Sequence, residues 1–199
     1  PVADFAEMGP NGVDFLKASN GKIDLTVAQY QALGTVSLID TDVVTLADTG
    51  ANLASLLDGG TPAGVDALNA TDDILALSWA QYQNLGTVAL TMDDNVSLSD
   101  DEATLSALRR PDIAGLAARR VDEITSISGG VSWAIKQFNA LGSVILSGDT
   151  ELTLNGTDGK DTFRFSRQTL GADDQITGGG GTDTLFLAGD YSAGLVFDA

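Results

Sequence analysis

Residues 64–108 read GVDALNATDDILALSWAQYQNLGTVALTMDDNVSLSDDEATLSAL, and this stretch has a counterpart on either side. Residues 12–56 read GVDFLKASNGKIDLTVAQYQALGTVSLIDTDVVTLADTGANLASL, and residues 120–159 read RVDEITSISGGVSWAIKQFNALGSVILSGDTELTLNGTDG. Aligned on Gly12, Gly64 and Arg120, the copies are offset by about 52 and then about 56 residues, a period that marks a repeat architecture. The third drifts at its end into a glycine-rich motif. Ahead of the first and third copies, Asp4, Phe5 and Met8 match Asp112, Ile113 and Leu116, which adds a helical turn or two.

Each copy splits into two coils of about 22 residues with one internal order: short strand, turn, short strand, helix. In the first coil Val13 to Leu16 alternates as a strand, Ser19-Asn20-Gly21 turns, and Ile23 to Leu25 resumes the alternation. Thr26 is the expected N-cap of a helix over Val27 to Leu33, with Gly34 as its C′ residue. The second coil repeats this with strands over Val36 to Ile39 and Val44 to Leu46, then a helix near Ala51 to Leu56 capped by Thr49 or Asp48. So short a coil cannot bury its own apolar face and must stack on its neighbours. The expected fold is therefore α/β: a parallel solenoid of short strands and short helices. Leu25, Leu77 and Trp133 form one interior column, and Tyr30, Tyr82 and Phe138 another. Gln29, Gln81 and Gln137 coincide one position before the aromatics and are expected to form a glutamine ladder or to bond neighbouring backbone, with a saccharide-binding stripe as the minority reading.

Composition narrows function. The chain has 199 residues, 43% of them hydrophobic, which suffices for a buried core. Ten cations against 28 acids leave a net charge of −18, which repels nucleic acid and anionic lipid surfaces. No apolar run approaches the roughly 20 residues that span a bilayer, so membrane insertion is not expected. Cysteine and histidine are absent, which removes disulfides, thiol nucleophiles, Cys/His zinc sites and any histidine general base. Aspartate outnumbers glutamate 24 to 4, a bias that suits turns and hard-cation sites. The chain starts without Met and stops at GLVFDA, and we read it as an excerpt from a longer protein.

The strongest local signal is GGGGTDTLF, Gly178 to Phe186, which fits G-G-x-G-x-D-x-L through Gly178, Gly179, Gly181, Asp183 and Leu185. Its partner is GTDGKDTF, with Gly156, Gly159 and Asp161 in register, Thr157 in place of the second glycine, and Asp158 adding a carboxylate. Asp161 and Asp183 are one coil apart, about 22 residues, so the two turns should stack on one edge and share a Ca²⁺ ion. Phosphate cradling is a poorer reading, since no Lys-Ser/Thr follows the glycines.

At these residues the chain resembles the RTX family, the calcium-binding nonapeptide-repeat proteins that Gram-negative bacteria export by type I secretion. The resemblance implies an RTX-like β-roll at the C-terminus, with Ca²⁺ between stacked turns held by Gly156, Asp158, Gly159, Asp161, Gly178, Gly179, Gly181 and Asp183. It also implies a secreted or cell-surface location. The upstream repeats, with AQYQALGTVSL and VVTLADTGANL, are similar to segments that precede such repeats in very large surface or secreted proteins.

Other acids read differently. Asp40, Asp42, Asp93, Asp94, Asp100 and Asp101 lie in turns or helix starts, where capping or solvation is the default. Asp173, Asp174 and Asp190 are a secondary candidate for an ion on the opposite edge. Arg109, Arg110, Arg119 and Arg120 bracket an expected helix over Pro111 to Ala118 and are expected to pair with acids, an anion site or subunit contact being the alternative. The expected organisation is solenoid repeats over 1–149, continuous with calcium-binding coils over 150–199. The expected function is non-catalytic: a Ca²⁺-stabilised segment of an adhesin or S-layer-like protein. The alternatives are an export and folding module of a secreted enzyme, or a carbohydrate-binding surface. Partners follow: calcium, with cell-surface polysaccharide or other copies of the protein as further candidates, and a monomeric excerpt.

Overall fold

A computed structural model describes residues 2–147, 150–166, 170–171 and 173–189. The fold is mixed α/β, with short helices and several parallel sheets. The chain packs as two units, Pro1–Val96 and Ser97–Ala199. The first carries α1 (Val2–Ala6), β1 (Phe15–Leu16), β2 (Lys22–Leu25), α2 (Val27–Ala32), β3 (Ser37–Leu38), β4 (Val43–Asp48), α3 (Gly50–Leu57), β5 (Ala67–Ala70), β6 (Ile74–Leu77), α4 (Trp79–Asn84) and β7 (Ala89–Leu90). Strand β8 (Asn95–Asp100) spans the division. The second unit continues with α5 (Glu102–Ser106), α6 (Arg110–Leu116), a 3₁₀ turn (Ala117–Arg119), β9 (Glu123–Ser126), β10 (Val131–Ala134), α7 (Ile135–Phe138) and β11 (Ile145–Leu146). It ends with β12 (Leu152–Asn155), β13 (Thr162–Ser166), β14 (Gln175–Thr177) and β15 (Thr184–Ala188).

Within the first unit β1 pairs with β3, and β2, β4, β5 and β7 form a sheet in that order. Within the second, β8 pairs with β9 and β9 with β11, β12 lies between β10 and β14, and β13 pairs with β15. Every one of these pairings is parallel, and in all but one the partners lie a single coil apart in sequence, as in Phe15↔Ser37, Lys22↔Val43 and Thr162↔Thr184. The exception is Ser97↔Glu123, whose connection is longer because it holds both α5 and α6. That extra helix accounts for the longer offset of the third repeat.

The helices form for local reasons. Thr26 Oγ1 accepts from Gln29 N, while Gln29 Oε1 accepts from Thr26 N at 2.8 Å, a reciprocal cap that starts α2. Ser78 and Gln81 repeat the arrangement at α4. At α7 the N-cap is Ala134, so only the glutamine half survives, Gln137 Oε1 accepting from Ala134 N at 2.9 Å. The amide ends reach backward: Gln81 Nε2 donates to Asp58 Oδ1 and Gln137 Nε2 to Leu108 O. The glutamine column is thus committed to backbone and to the preceding segment.

Leu25, Leu77 and Trp133 are buried, and the Trp133 indole donates to Leu105 O at 2.9 Å. Tyr82 and Phe138 are buried, the first stacked on Trp79 and the second packed 5.0 Å from Phe165. Tyr30 differs: Val27 stands where the second repeat has Trp79, and its ring is only half-buried, the hydroxyl donating to Ala63 O.

The aspartates have an unexpected use. Asp42, Asp94 and Thr150, the same position in the three repeats, are buried and accept the backbone N–H of Ala18, Ala70 and Ser126, each 24 residues earlier. Asp66 takes Val44 N, Asp48 takes Val27 N and Asp72 takes Gly50 N, each about one coil earlier. Ser128 replaces the last for Glu102 N, across the longer connection. Ala18, Ala70 and Ser126 lie at or just past the end of a strand, Val44 near the start of one, and Val27, Gly50 and Glu102 at the first residue of a helix. Left without an acceptor, a buried N–H costs about 1–3 kcal/mol. The turn acids Asp42 and Asp94 are therefore cross-segment staples rather than local caps, whereas Asp101 is the N-cap expected of it, accepting from Thr104 N at 2.7 Å.

Asp94 also accepts from Thr91 Oγ1, at 2.6 Å. Asp94→Ala should cost about 2–3 kcal/mol in denaturant unfolding, while Asp93→Ala next to it, on an exposed side chain, should stay within about 0.5 kcal/mol. Equal losses would show that Asp94 is not a staple.

Candidate functional site

The two glycine-rich turns meet as their spacing requires. β13 and β15 pair over five residues from Thr162↔Thr184 to Ser166↔Ala188, which sets Gly156–Asp161 against Gly178–Asp183. Gly156 N donates to Thr177 O, Gly180 N to Thr157 O and Thr184 N to Asp161 O, at 2.8, 2.9 and 3.0 Å. Across the turns Asp161 N donates to Asp183 Oδ1 at 3.0 Å.

The approach is so close that side chains are excluded. A Cβ on Gly156 would collide with Gly178 O, and one on Gly179 with Thr157 O. Gly179 also has φ of +88°, a region L-residues avoid. The earlier turn holds a different conformation: among its residues neither Thr157 nor Gly159 has positive φ. Thr157 instead donates through both N and Oγ1 to Asp161 Oδ2, at 2.6 and 2.9 Å. Threonine at that position thus builds a side-chain tie where the later turn relies on glycine. In both turns the aspartate folds back over the first glycine, Asp161 over Gly156 and Asp183 over Gly178.

All eight candidate residues are brought to this edge, Asp158 exposed, with its backbone against Gly180. The oxygens at this edge are main-chain carbonyls and the carboxylates of Asp158, Asp161 and Asp183, the kind of ligand a hard cation takes, and the carbonyls of Thr157, Thr177 and Asp161 already accept N–H groups. It is not a carboxylate cage: among the described residues no group of three or more acidic side chains is placed to hold a metal ion. One oxygen of Asp161 and one of Asp183 already accept backbone N–H groups.

Asp174, the opposite-edge candidate, is another staple, accepting from Leu152 N at 2.8 Å and Gly171 N at 2.7 Å. Burial pushes its carboxyl above the usual value, against the pull of those two N–H groups and with Asp173 adding to the rise. Asp190 lies outside the described residues. Arg109 pairs with Asp112 at 2.9 Å, holding that carboxyl below its usual value, but the arginine is 80% exposed and the bridge contributes little. Arg120 ends the 3₁₀ turn in the left-handed region. Among the described residues no helix is long and apolar enough to cross a membrane. No protein-family model, curated protein or solved structure matches this chain.

Gly179→Ala should destabilise these turns by at least about 1–2 kcal/mol from backbone conformation alone, read as lost amide protection over residues 155–166. Gly12, at +82° but with open space around its Cα, is the control for φ without collision. Asp174 gives a pH test. Because its folded-state value is raised, its contribution is present below the unfolded value of 3.8 and lost as pH rises through the folded one. Asp174→Asn should therefore gain stability relative to wild type as pH rises through the acid range. A pH-independent difference between the two melting series would exclude it.

Proposed function

We propose that this chain is a non-catalytic structural segment of a secreted or cell-surface protein, a parallel solenoid whose C-terminal coils take Ca²⁺ between the turns at Gly156 and Gly178. The observation that carries the reading is the stack of those turns one coil apart, backbone on backbone, with Asp161 N on Asp183 Oδ1. Pairings that advance by one coil at a time support the solenoid, and the glycine motifs support an RTX-like roll at its end. Gly156, Asp158, Gly159, Asp161, Gly178, Gly179, Gly181 and Asp183 would hold the ion, chiefly through carbonyls. Bound calcium supplies positive charge and takes roughly six to eight oxygen ligands. The chain's part is to aim those oxygens and to keep side chains out of the stack. Composition supports a non-catalytic role, since neither histidine nor cysteine is present.

Extracellular calcium modules bind at about 10⁻⁴ to 10⁻³ M, so export into a calcium-rich medium would order this end of the chain. At a free ion level about 100 times the dissociation constant the gain is about 2.7 kcal/mol. Hydrogen exchange in calcium and in chelator is the test, with Asp161→Ala and Asp183→Ala as controls. Residues 152–188 should gain protection with calcium, and residues 22–90 should not change. Equal protection of 152–188 in both solutions would sink the calcium reading.

A further inference from the structure

The first coil leaves uncovered what the later repeats bury. Val13 is 38% exposed, while Val65 and Val121, its equivalents, are 8% and 3% exposed. Leu16 is half-buried where Leu68 and Ile124 are fully buried. Phe5 and Met8 are half-exposed, whereas Ile113 and Leu116, at the same positions of α6, are fully buried. The polar signal agrees: Asp66 accepts from Val44 N, but the carboxylate of Asp14, at the same repeat position, has no partner among the described residues. Asn20, the counterpart of Asp72, turns back onto Lys22 N instead of reaching another segment.

In the later repeats the occupant of this face is visible within each unit. β4 lies on β5, with Leu46 against Leu68, and β8 lies on β9, with Leu98 against Ile124. The neighbouring strand is covered by the helix that follows: Ser132 N donates to Ser106 Oγ and Trp133 to Leu105 O, both on α5. On the first coil the corresponding edges carry no further strand among the described residues, where β1 pairs only with β3 and β2 only with β4.

We propose that the face formed by Phe5, Met8, Val13, Asp14 and Leu16 is a docking surface for one more strand-and-helix coil of this repeat's own plan. The incoming strand pairs in parallel with β1, presents a backbone N–H to Asp14, and is followed by a short helix over β2. A second copy of the whole chain fits less well, because it brings a further net charge of −18 to the contact. The proposal rests on the solenoid part of the functional reading and not on calcium.

The test joins a copy of residues 91–108 directly ahead of Pro1 in the full chain, with a matched extension whose copied Val96 and Leu98 are both changed to Asp. Amide exchange of residues 14–25 should slow by at least about tenfold with the first extension and not with the second. Asp14→Ala in the extended chain should give back part of that protection. Equal exchange in both extensions overturns the proposal. So does protection of residues 14–25 in the unextended chain that rises with protein concentration, which would make a second copy the occupant. Calcium-dependent exchange is read at 152–188 in the same samples, so failure here is separable from failure there.

Discussion

The structure depends on one constraint: a backbone N–H at the corner of a parallel segment must find an acceptor on the next segment. Parallel pairing that advances one coil at a time satisfies strand groups, but it leaves the corners open. Aspartate closes them, because its short side chain reaches one layer and its charge strengthens the bond. Asp42 on Ala18, Asp66 on Val44 and Asp94 on Ala70 in the first unit, and Asp174 on Leu152 in the second, are one device used repeatedly. Asp48 and Asp72 serve in the same way, so the geometry uses six of the 24 aspartates.

Much of the fold was legible because it is written in columns. The repeats fixed the register, the Thr26/Gln29 and Ser78/Gln81 pairs marked helix starts, and the one-coil spacing of Asp161 and Asp183 placed two turns together. The staples were not legible. A sequence shows Asp42 in a turn, but its partner lies 24 residues away, on a corner whose orientation only the packed chain defines. Strand lengths were blurred for the same reason: Val13 to Leu16 alternates, yet only Phe15 and Leu16 pair, since Val13 N turns back to Met8 O. Tyr30 sits in an aromatic column and is still half-exposed, with Val27 where Tyr82 has the ring of Trp79 stacked on it.

The candidate site was legible in position and less so in detail. Glycine spacing placed the turns, but the different conformation of the earlier one turns on Thr157 and its double bond to Asp161, one hydrogen bond from the main chain and one from the hydroxyl. Substituting threonine for the second glycine therefore exchanges permissive backbone for a fixed tie.

The staples have a direction. Ala18, Val27, Val44, Gly50, Ala70 and Leu152 each give their N–H to a side chain that comes later in the chain. Ser132, which donates back to Ser106, runs the other way. A chain that leaves a ribosome from its N-terminus thus carries each of these N–H groups without its acceptor until the later segment has emerged. Each of these bonds closes only once the later segment has arrived, so they form in the order of delivery.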